Sequence, residues 1–147
     1  MFGTIVVGLD GSPRQLHLLR QAVRLADMSG GQLVLCRAVL VPPSIPAVVW
    51  SLADDQFMAF LIEHAGTELR RVVEGLPEGM VSRVVCRDGT AAQVLCDVAR
   101  EEHASLIMVG THGYDGIDRL LGTTAARVSN LAPCSVLVVR PEAEAES

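Results

Sequence analysis

The sequence predicts an α/β domain built on one open parallel sheet. Two observations carry this prediction: short apolar runs rich in β-branched residues alternate with segments whose apolar residues recur every three or four positions. Continuous apolar runs are typical of strands covered on both faces, and their alternation with helices predicts parallel strands joined by right-handed crossovers. The length of 147 residues fits one domain of common size. We expect residues 1–141 to form that domain and the acidic segment 142–147 to be a disordered tail.

The alternation runs along the whole chain. The predicted strands are residues 4–9, 32–39, 81–86, 106–109 and 135–139. The predicted helices are residues 13–28, 54–73, a segment that begins at Thr90, and residues 123–131. Ser12 is the candidate N-cap of the first helix, and Gly30 is its candidate end.

The longest segment without a regular pattern is residues 40–51. Its three prolines disfavour both a helix and a central strand. Val48, Val49 and Trp50 give it apolar content, so it is either a lid over a site or a packed connector.

Composition excludes several function classes. The formal net charge is −5, and no residue is lysine. Nonspecific nucleic-acid binding needs a basic face, so nucleic acid is not an expected partner. The absence of lysine excludes a Schiff-base lysine and a Walker A loop. No apolar run is long enough to span a membrane, and the N-terminus has the pattern of a strand rather than a leader, so we expect a cytoplasmic protein with no membrane partner.

The four cysteines indicate no metal site. Cys36, Cys86, Cys96 and Cys134 are widely spaced, without a C-x-x-C pair. Structural zinc sites usually contain such close pairs. We interpret these cysteines as reduced, small hydrophobic residues.

A ligand site is expected at one edge of the sheet. In an open parallel sheet, ligands bind beyond the carboxyl ends of the strands, where neighbouring crossovers leave in opposite directions. The loops at that edge place Asp10, Gly89, Gly110 and Gly113 on one rim.

The stretch from Gly110 to Thr124 has the features of a phosphate site. Glycines at a strand end allow a ligand to approach the main chain, and Gly122-Thr123-Thr124 opens a helix whose free N–H groups attract an anion. The alternative is turn chemistry, with Thr123 or Thr124 as an N-cap. Taken together, the glycines, the threonines and the start of the helix favour phosphate binding.

Asp10 has two compatible interpretations. Its carboxylate is placed to accept hydrogen bonds from a ligand or to help hold a divalent cation, or it forms an Asx turn before the first helix. His112 lies between two glycines of the same region without a nucleophile or an orienting carboxylate in sequence. We therefore assign no catalytic residue.

At these residues the chain resembles the universal stress protein (UspA-like) family over nearly its whole length. Nucleotide-binding members carry the pattern G-x2-G-x9-G-S/T. Gly110 and Gly113 match its first half, and Gly122-Thr123 match the second, with an eight-residue spacer that is one residue shorter. The resemblance extends to "VVGLDGS", in which Gly8 stands where many members have proline, and to "APCSVLVVR".

The resemblance implies a flavodoxin-like, or Rossmann-like, five-stranded sheet of order 3-2-1-4-5 with helices on both faces. It implies ATP at the carboxyl edge, accompanied by Mg²⁺ or another divalent cation. Asp10 would lie near adenine and ribose, and Gly110 would contact the ribose. Ala38 and Val39 would line the adenine slot. The phosphates would be bound by Gly113, Gly122, Thr123 and Thr124.

The resemblance also implies a homodimer through the C-terminal strand Ser135–Val139, because a long apolar edge attracts a partner. The leading interpretation is an ATP-binding regulatory protein of the stress response, with weak or partner-dependent hydrolysis at most and an unknown signalling partner. One alternative is a nucleotide-independent interaction module of the same fold. The other is a metal-dependent ATPase or phosphotransferase.

Overall fold

The computed structural model describes residues 2–40, 47–111 and 123–141. Its core is a five-stranded sheet in the order β3-β2-β1-β4-β5, and every neighbouring pair is parallel. The strands are β1 (Thr4–Gly8), β2 (Gln32–Val39), β3 (Val81–Asp88), β4 (Leu106–Gly110) and β5 (Ser135–Val139). The helices are α1 (Gln15–Ser29), α2 (Ala47–Glu74), α3 (Ala91–Glu101) and α4 (Thr123–Leu131). The predicted α/β class and the strand order 3-2-1-4-5 are confirmed.

Two apolar layers cover the sheet, one on each face. On one face, alternate residues of the central strands, such as Val7 and Met108, pack with Leu19 of α1 and Leu69 of α2. On the other face, the intervening residues, such as Ile107, pack with the buried sides of α3 and α4. Successive side chains of a strand point to opposite faces, so strands covered on both faces need apolar residues at nearly every position. This explains why the core strands read as continuous apolar runs.

Helix α1 ends as predicted but begins differently. Gly30 adopts a left-handed conformation (φ 70°) and donates its N–H to Ala26 O, as expected for a glycine that ends a helix. Ser12 is not the N-cap. The helix starts at Gln15, with Arg14 at the N-cap position and no side-chain cap, because residues 12–15 first form a turn in which Gln15 N–H donates to Ser12 O at 3.1 Å.

The segment after β2 is shorter than predicted. Helix α2 begins at Ala47, so the prediction of an irregular connector through residue 51 is wrong for its last five positions. The physical reason is that proline disfavours a helix only at its own position and at the residue before it. No proline follows Pro46 in this stretch. Residues 41–46 lie outside the described residues.

The last strand, β5, forms one edge of the sheet. No helix within the described ranges has the length and apolar content that crossing a membrane requires. The segment 142–147, predicted to be a tail, lies outside the described residues.

Candidate functional site

The structure places a cleft at the carboxyl edge of the sheet, between β1 and β4. From β1 the chain leaves to α1 on one face, and from β4 it leads to α4 on the opposite face. Such a reversal is where ligands bind in open α/β sheets. The cavity between the described residues measures about 60 Å³. Its walls are formed by Gly8, Leu9, Asp10, Arg14, Gln15, Leu18, Cys36, Ala38, Ala91, Leu95, Val109, Gly110, Thr111 and Thr124.

Asp10 lies at the cleft on a tight turn after β1. Its Oδ1 accepts the N–H of Ser12 at 2.9 Å, which confirms the Asx turn. Gly11 has a φ of 80°, and its N–H donates to Gln15 Oε1 at 3.0 Å. The turn therefore satisfies its own amides through side chains and holds the Asp10 carboxylate at the wall of the cleft.

Gly110 and Thr111 form the wall contributed by β4. The Thr111 N–H donates to Val139 O at 3.2 Å, which ties this wall to the edge strand. The nearest atom to a Cβ built on Gly110 is Val139 O at 3.9 Å. Among the described residues, a side chain at Gly110 would therefore meet no atom closely and would occupy space beside the cleft. Glycine leaves this space open.

Thr124 joins the same cleft from the first turn of α4. The helix begins at Thr123, so both threonines are helical residues. The glycines predicted to cradle phosphate, Gly113 and Gly122, lie outside the described residues, as does His112. The phosphate-binding role of this segment stays a prediction.

The two residues predicted for the adenine slot are placed differently. Ala38 lines the cleft. Val39 is buried and is not among the lining residues; its carbonyl accepts the Gly89 N–H at 3.2 Å. Gly89 is not among the lining residues either, and its φ of 132° favours glycine for conformational reasons. Asp10, Ala38, Gly110 and Thr124 are thus the predicted residues that the structure brings together.

Sequence reasoning missed several residues of the cleft. Arg14 and Gln15 enter from the start of α1, and Leu95 enters from α3. Arg14 could have been inferred from its position, since it follows Asp10 in the loop that leaves the carboxyl end of β1. The sequence did not indicate that Leu95 lines the cleft, because its place on the inner face of α3 is equally typical of core packing.

Cys36 lines the cleft as an unreactive group. Burial raises the pKa of its thiol to about 12, and the neighbouring Cys86 adds to this increase. A thiol is nucleophilic only as the thiolate. All four cysteines are free, so the interpretation of reduced, small hydrophobic residues is confirmed.

The cleft combines an apolar slot with a polar end. Ala38, Ala91 and Leu95 supply apolar surface, whereas Asp10 and Thr124 supply oxygen atoms. An apolar pocket with a few placed polar groups is the usual composition of a small-molecule site. Within the described ranges, no three His, Cys, Asp or Glu residues are grouped as metal ligands.

Comparison with known proteins identifies the family. The model of the universal stress protein family matches residues 1–140. The chain belongs to the universal stress protein family. The universal stress protein YxiE of Bacillus subtilis is 28% identical over 150 residues, covering 95% of this chain and all of the relative. The universal stress protein Sll1654 of Synechocystis is 30% identical over 141 residues, covering 95% of this chain and 86% of the relative.

Solved structures share the fold, among them two of universal stress proteins and one of the hypothetical protein MJ0577. The structure of MJ0577 superposes with a TM-score of 0.78 at 18% identity and covers 98% of this chain and 99% of that one. UspA of Lactobacillus plantarum superposes with a TM-score of 0.68 at 22% identity and covers 95% of this chain and 98% of that one. A universal stress protein solved in complex with cAMP superposes with a TM-score of 0.61 at 24% identity, covering 96% of this chain and 98% of that one.

Proposed function

We propose that this universal stress protein binds ATP in the cleft between β1 and β4, together with Mg²⁺ or another divalent cation. The observation that carries the proposal is the convergence of Asp10, Ala38, Gly110 and Thr124 on one cleft at the carboxyl edge. Family membership supports an adenine nucleotide, because Gly110-x2-Gly113 and Gly122-Thr123 follow the pattern of nucleotide-binding members. The protein acts in the cytoplasm as a regulatory component of a stress response.

The residues fit a nucleotide in three respects. The apolar wall formed by Ala38, Ala91 and Leu95 suits the faces of a purine ring. The Asp10 carboxylate can accept hydrogen bonds from ribose hydroxyls or an amino group. Thr124 lies in the first turn of α4, where backbone N–H groups and the helix dipole favour a phosphate. A bound Mg²⁺ would neutralise phosphate charge.

Hydrolysis is weak or partner-dependent at most. The chain has no lysine, and Cys36, the buried thiol of the cleft, is kept protonated by its raised pKa. Phosphoryl transfer depends on positioned cations and a positioned nucleophile. Arg14 is the only arginine among the described lining residues. Occupancy of the site, rather than turnover, is the signal that an unidentified partner protein reads.

Binding is tested by calorimetric titration of nucleotide-stripped protein with ATP, with and without Mg²⁺. We expect saturable binding that weakens at least about tenfold, or about 1.4 kcal/mol, in Asp10→Ala. Asp27→Ala is the matched control, because Asp27 is an exposed carboxylate on α1 outside the cleft. No detectable binding at millimolar ATP would refute the proposal. Parallel titration with cAMP distinguishes a triphosphate site from a site for a cyclic nucleotide.

We further propose a homodimer through β5. This strand is at the edge of the sheet, and its Leu137 side chain is 43% exposed. Unpaired edges with apolar side chains favour pairing with a second copy. Sedimentation equilibrium should give twice the monomer mass, and Leu137→Glu should shift the equilibrium toward monomer. Phe60→Glu, a change at an exposed apolar residue of α2, should leave the dimer intact. A monomeric wild-type protein would contradict the proposal.

A further inference from the structure

A second groove lies on the outer surface, between α1 and the C-terminal end of α2. It has a volume of about 910 Å³ and is separate from the cleft between β1 and β4. Its apolar surface comes from Leu16, Val23, Val72 and Leu76. The Leu16 side chain is 57% exposed. We call this feature the α1–α2 groove.

Three arginines border the α1–α2 groove. Arg20 and Arg24 come from α1, and Arg71 comes from α2. All three are exposed. Within the described ranges, none of them forms an ion pair, whereas Arg37, Arg83, Arg87 and Arg100 each pair with a carboxylate.

The charge of the groove is opposite to that of the whole protein. Arg20 and Arg24 are four residues apart on one helix, a spacing at which like charges repel. The Nε–H group of Arg20 donates a hydrogen bond to Leu16 O at 3.4 Å. This carbonyl oxygen carries no formal charge, so it does not neutralise the guanidinium. A concentration of positive charge in a chain of net charge −5 indicates an acidic occupant.

The α1–α2 groove adjoins a second depression on the other side of α1, which reaches the edge strand. His17, Gln21 and Arg24 also line a neighbouring depression whose other wall contains Leu137 and Val139 of β5. The chain that leaves β5 therefore starts beside α1, where Arg24 lines both depressions. Its next residues, 142–147, have the sequence Glu-Ala-Glu-Ala-Glu-Ser. Six residues can extend about 20 Å, whereas His17 and Arg24 are about 10 Å apart along a helix.

We propose that the acidic segment 142–147 docks in the α1–α2 groove of its own chain. Its three glutamates then pair with Arg20, Arg24 and Arg71. Side chains alternate in an extended segment, so Ala143 and Ala145 face away from the glutamates, toward the apolar surface. The tail shields the arginines, and an external acidic ligand must displace it to reach them. This docking is independent of nucleotide binding.

The test uses the full chain and the triple variant Glu142→Gln/Glu144→Gln/Glu146→Gln. We expect backbone amide chemical shifts in NMR spectra to differ between the two proteins at groove residues of α1 and α2. The differences should vanish when salt rises from about 0.1 M to about 1 M, because the screening length falls from about 10 Å to about 3 Å. Shift differences confined to the neighbours of Pro141 would overturn the proposal.

A second variant separates docking from a general charge effect. Arg71→Gln should reduce the tail-dependent shift differences by about half or more, because exposed charge pairs act only at close range. Arg70→Gln is the matched control, since Arg70 is adjacent and exposed but donates to Thr67 Oγ1 at 3.2 Å and is not part of the groove. Equal effects of both variants would overturn the proposal, as would shift differences that grow with protein concentration, because the tail of a second copy would then be the occupant.

Discussion

The Arg37 guanidinium lies directly against the backbone of Gly11. A Cβ built on Gly11 would be 2.9 Å from Arg37 Cζ. Arg37 belongs to β2 and also forms an ion pair with Glu68 of α2. One side chain thus joins β2 and α2 to the turn that presents Asp10 at the cleft, which makes the β1–α1 turn dependent on a residue of another strand.

Gly11→Ala should lower the free energy of unfolding by about 1–2 kcal/mol, because a φ of 80° is costly for alanine. The Arg37 guanidinium is the end of a flexible side chain and can shift away from the added methyl group, so the backbone conformation accounts for this cost. Chemical denaturation measures the change. Gly3→Ala is the control, since a Cβ there would meet no atom of the described residues within 4 Å and Gly3 is not among the glycines with a positive φ. Equal stability of the two variants would show that the turn is not constrained as described.

Gly8→Ala should destabilise the protein by about 1–3 kcal/mol, the usual cost of overpacking a core. A Cβ at Gly8 would be 2.8 Å from Leu95 Cδ1. Leu95 is only 3% exposed and has little room to move. Adding Leu95→Val should recover part of the loss in a double-mutant cycle. Purely additive effects would mean that Leu95 does not explain the glycine.

Gly110→Ala and Gly110→Val should weaken ATP binding progressively, by at least about tenfold for valine, or about 1.4 kcal/mol. The added atoms occupy space beside the cleft, while the nearest atom of the described residues to the Cβ is 3.9 Å away. Stability should therefore change by no more than about 0.5 kcal/mol. Titration calorimetry and denaturation of the same samples separate the two effects. A loss of stability without a loss of affinity would contradict this role of Gly110.

Acid should destabilise the protein partly through Glu101. Hydrogen bonds from Arg87, at 2.9 and 2.6 Å, lower the pKa of Glu101 from its ordinary value of 4.5. A carboxyl whose pKa is lower in the folded state stabilises above its unfolded pKa, and this contribution is lost as pH falls below about 4.5 through the folded pKa. Denaturation at several pH values should show a smaller acid-dependent loss for Glu101→Gln than for wild type. Glu63→Gln, which removes an exposed carboxylate outside the described ion pairs, should follow wild type.

Cys36 should resist alkylation in the native state. With a pKa of about 12, only about one thiol in ten thousand is ionised at pH 8, and burial restricts access further. Mass spectrometry after iodoacetamide treatment should find Cys36 unmodified in folded protein and modified in denaturant. Rapid native labelling of Cys36 would mean that the cleft wall opens.

The fold could be predicted because its local patterns agree with its tertiary packing. The limits of β2, β5 and α4 match the expectations, since apolar runs and helical periodicity end at clear breaks in the sequence. The start of α1 could not be placed, because Ser12 is as typical of the turn that precedes the helix as of an N-cap. The start of α2 could not be placed either, because the prolines before Ala47 favoured an irregular segment.

The sequence by itself determined that parallel strands covered on both faces would bring Asp10, Gly110 and Thr124 to one edge of a sheet. Periodicity and strand–helix alternation are sufficient for that conclusion, because they fix which ends of the strands meet. Only the tertiary structure decided that Ala38 rather than Val39 lines the cleft and that Leu95 fills the space beside Gly8. These contacts depend on how separate elements pack against one another. The sequence of one element does not show which side chain of another element will contact it.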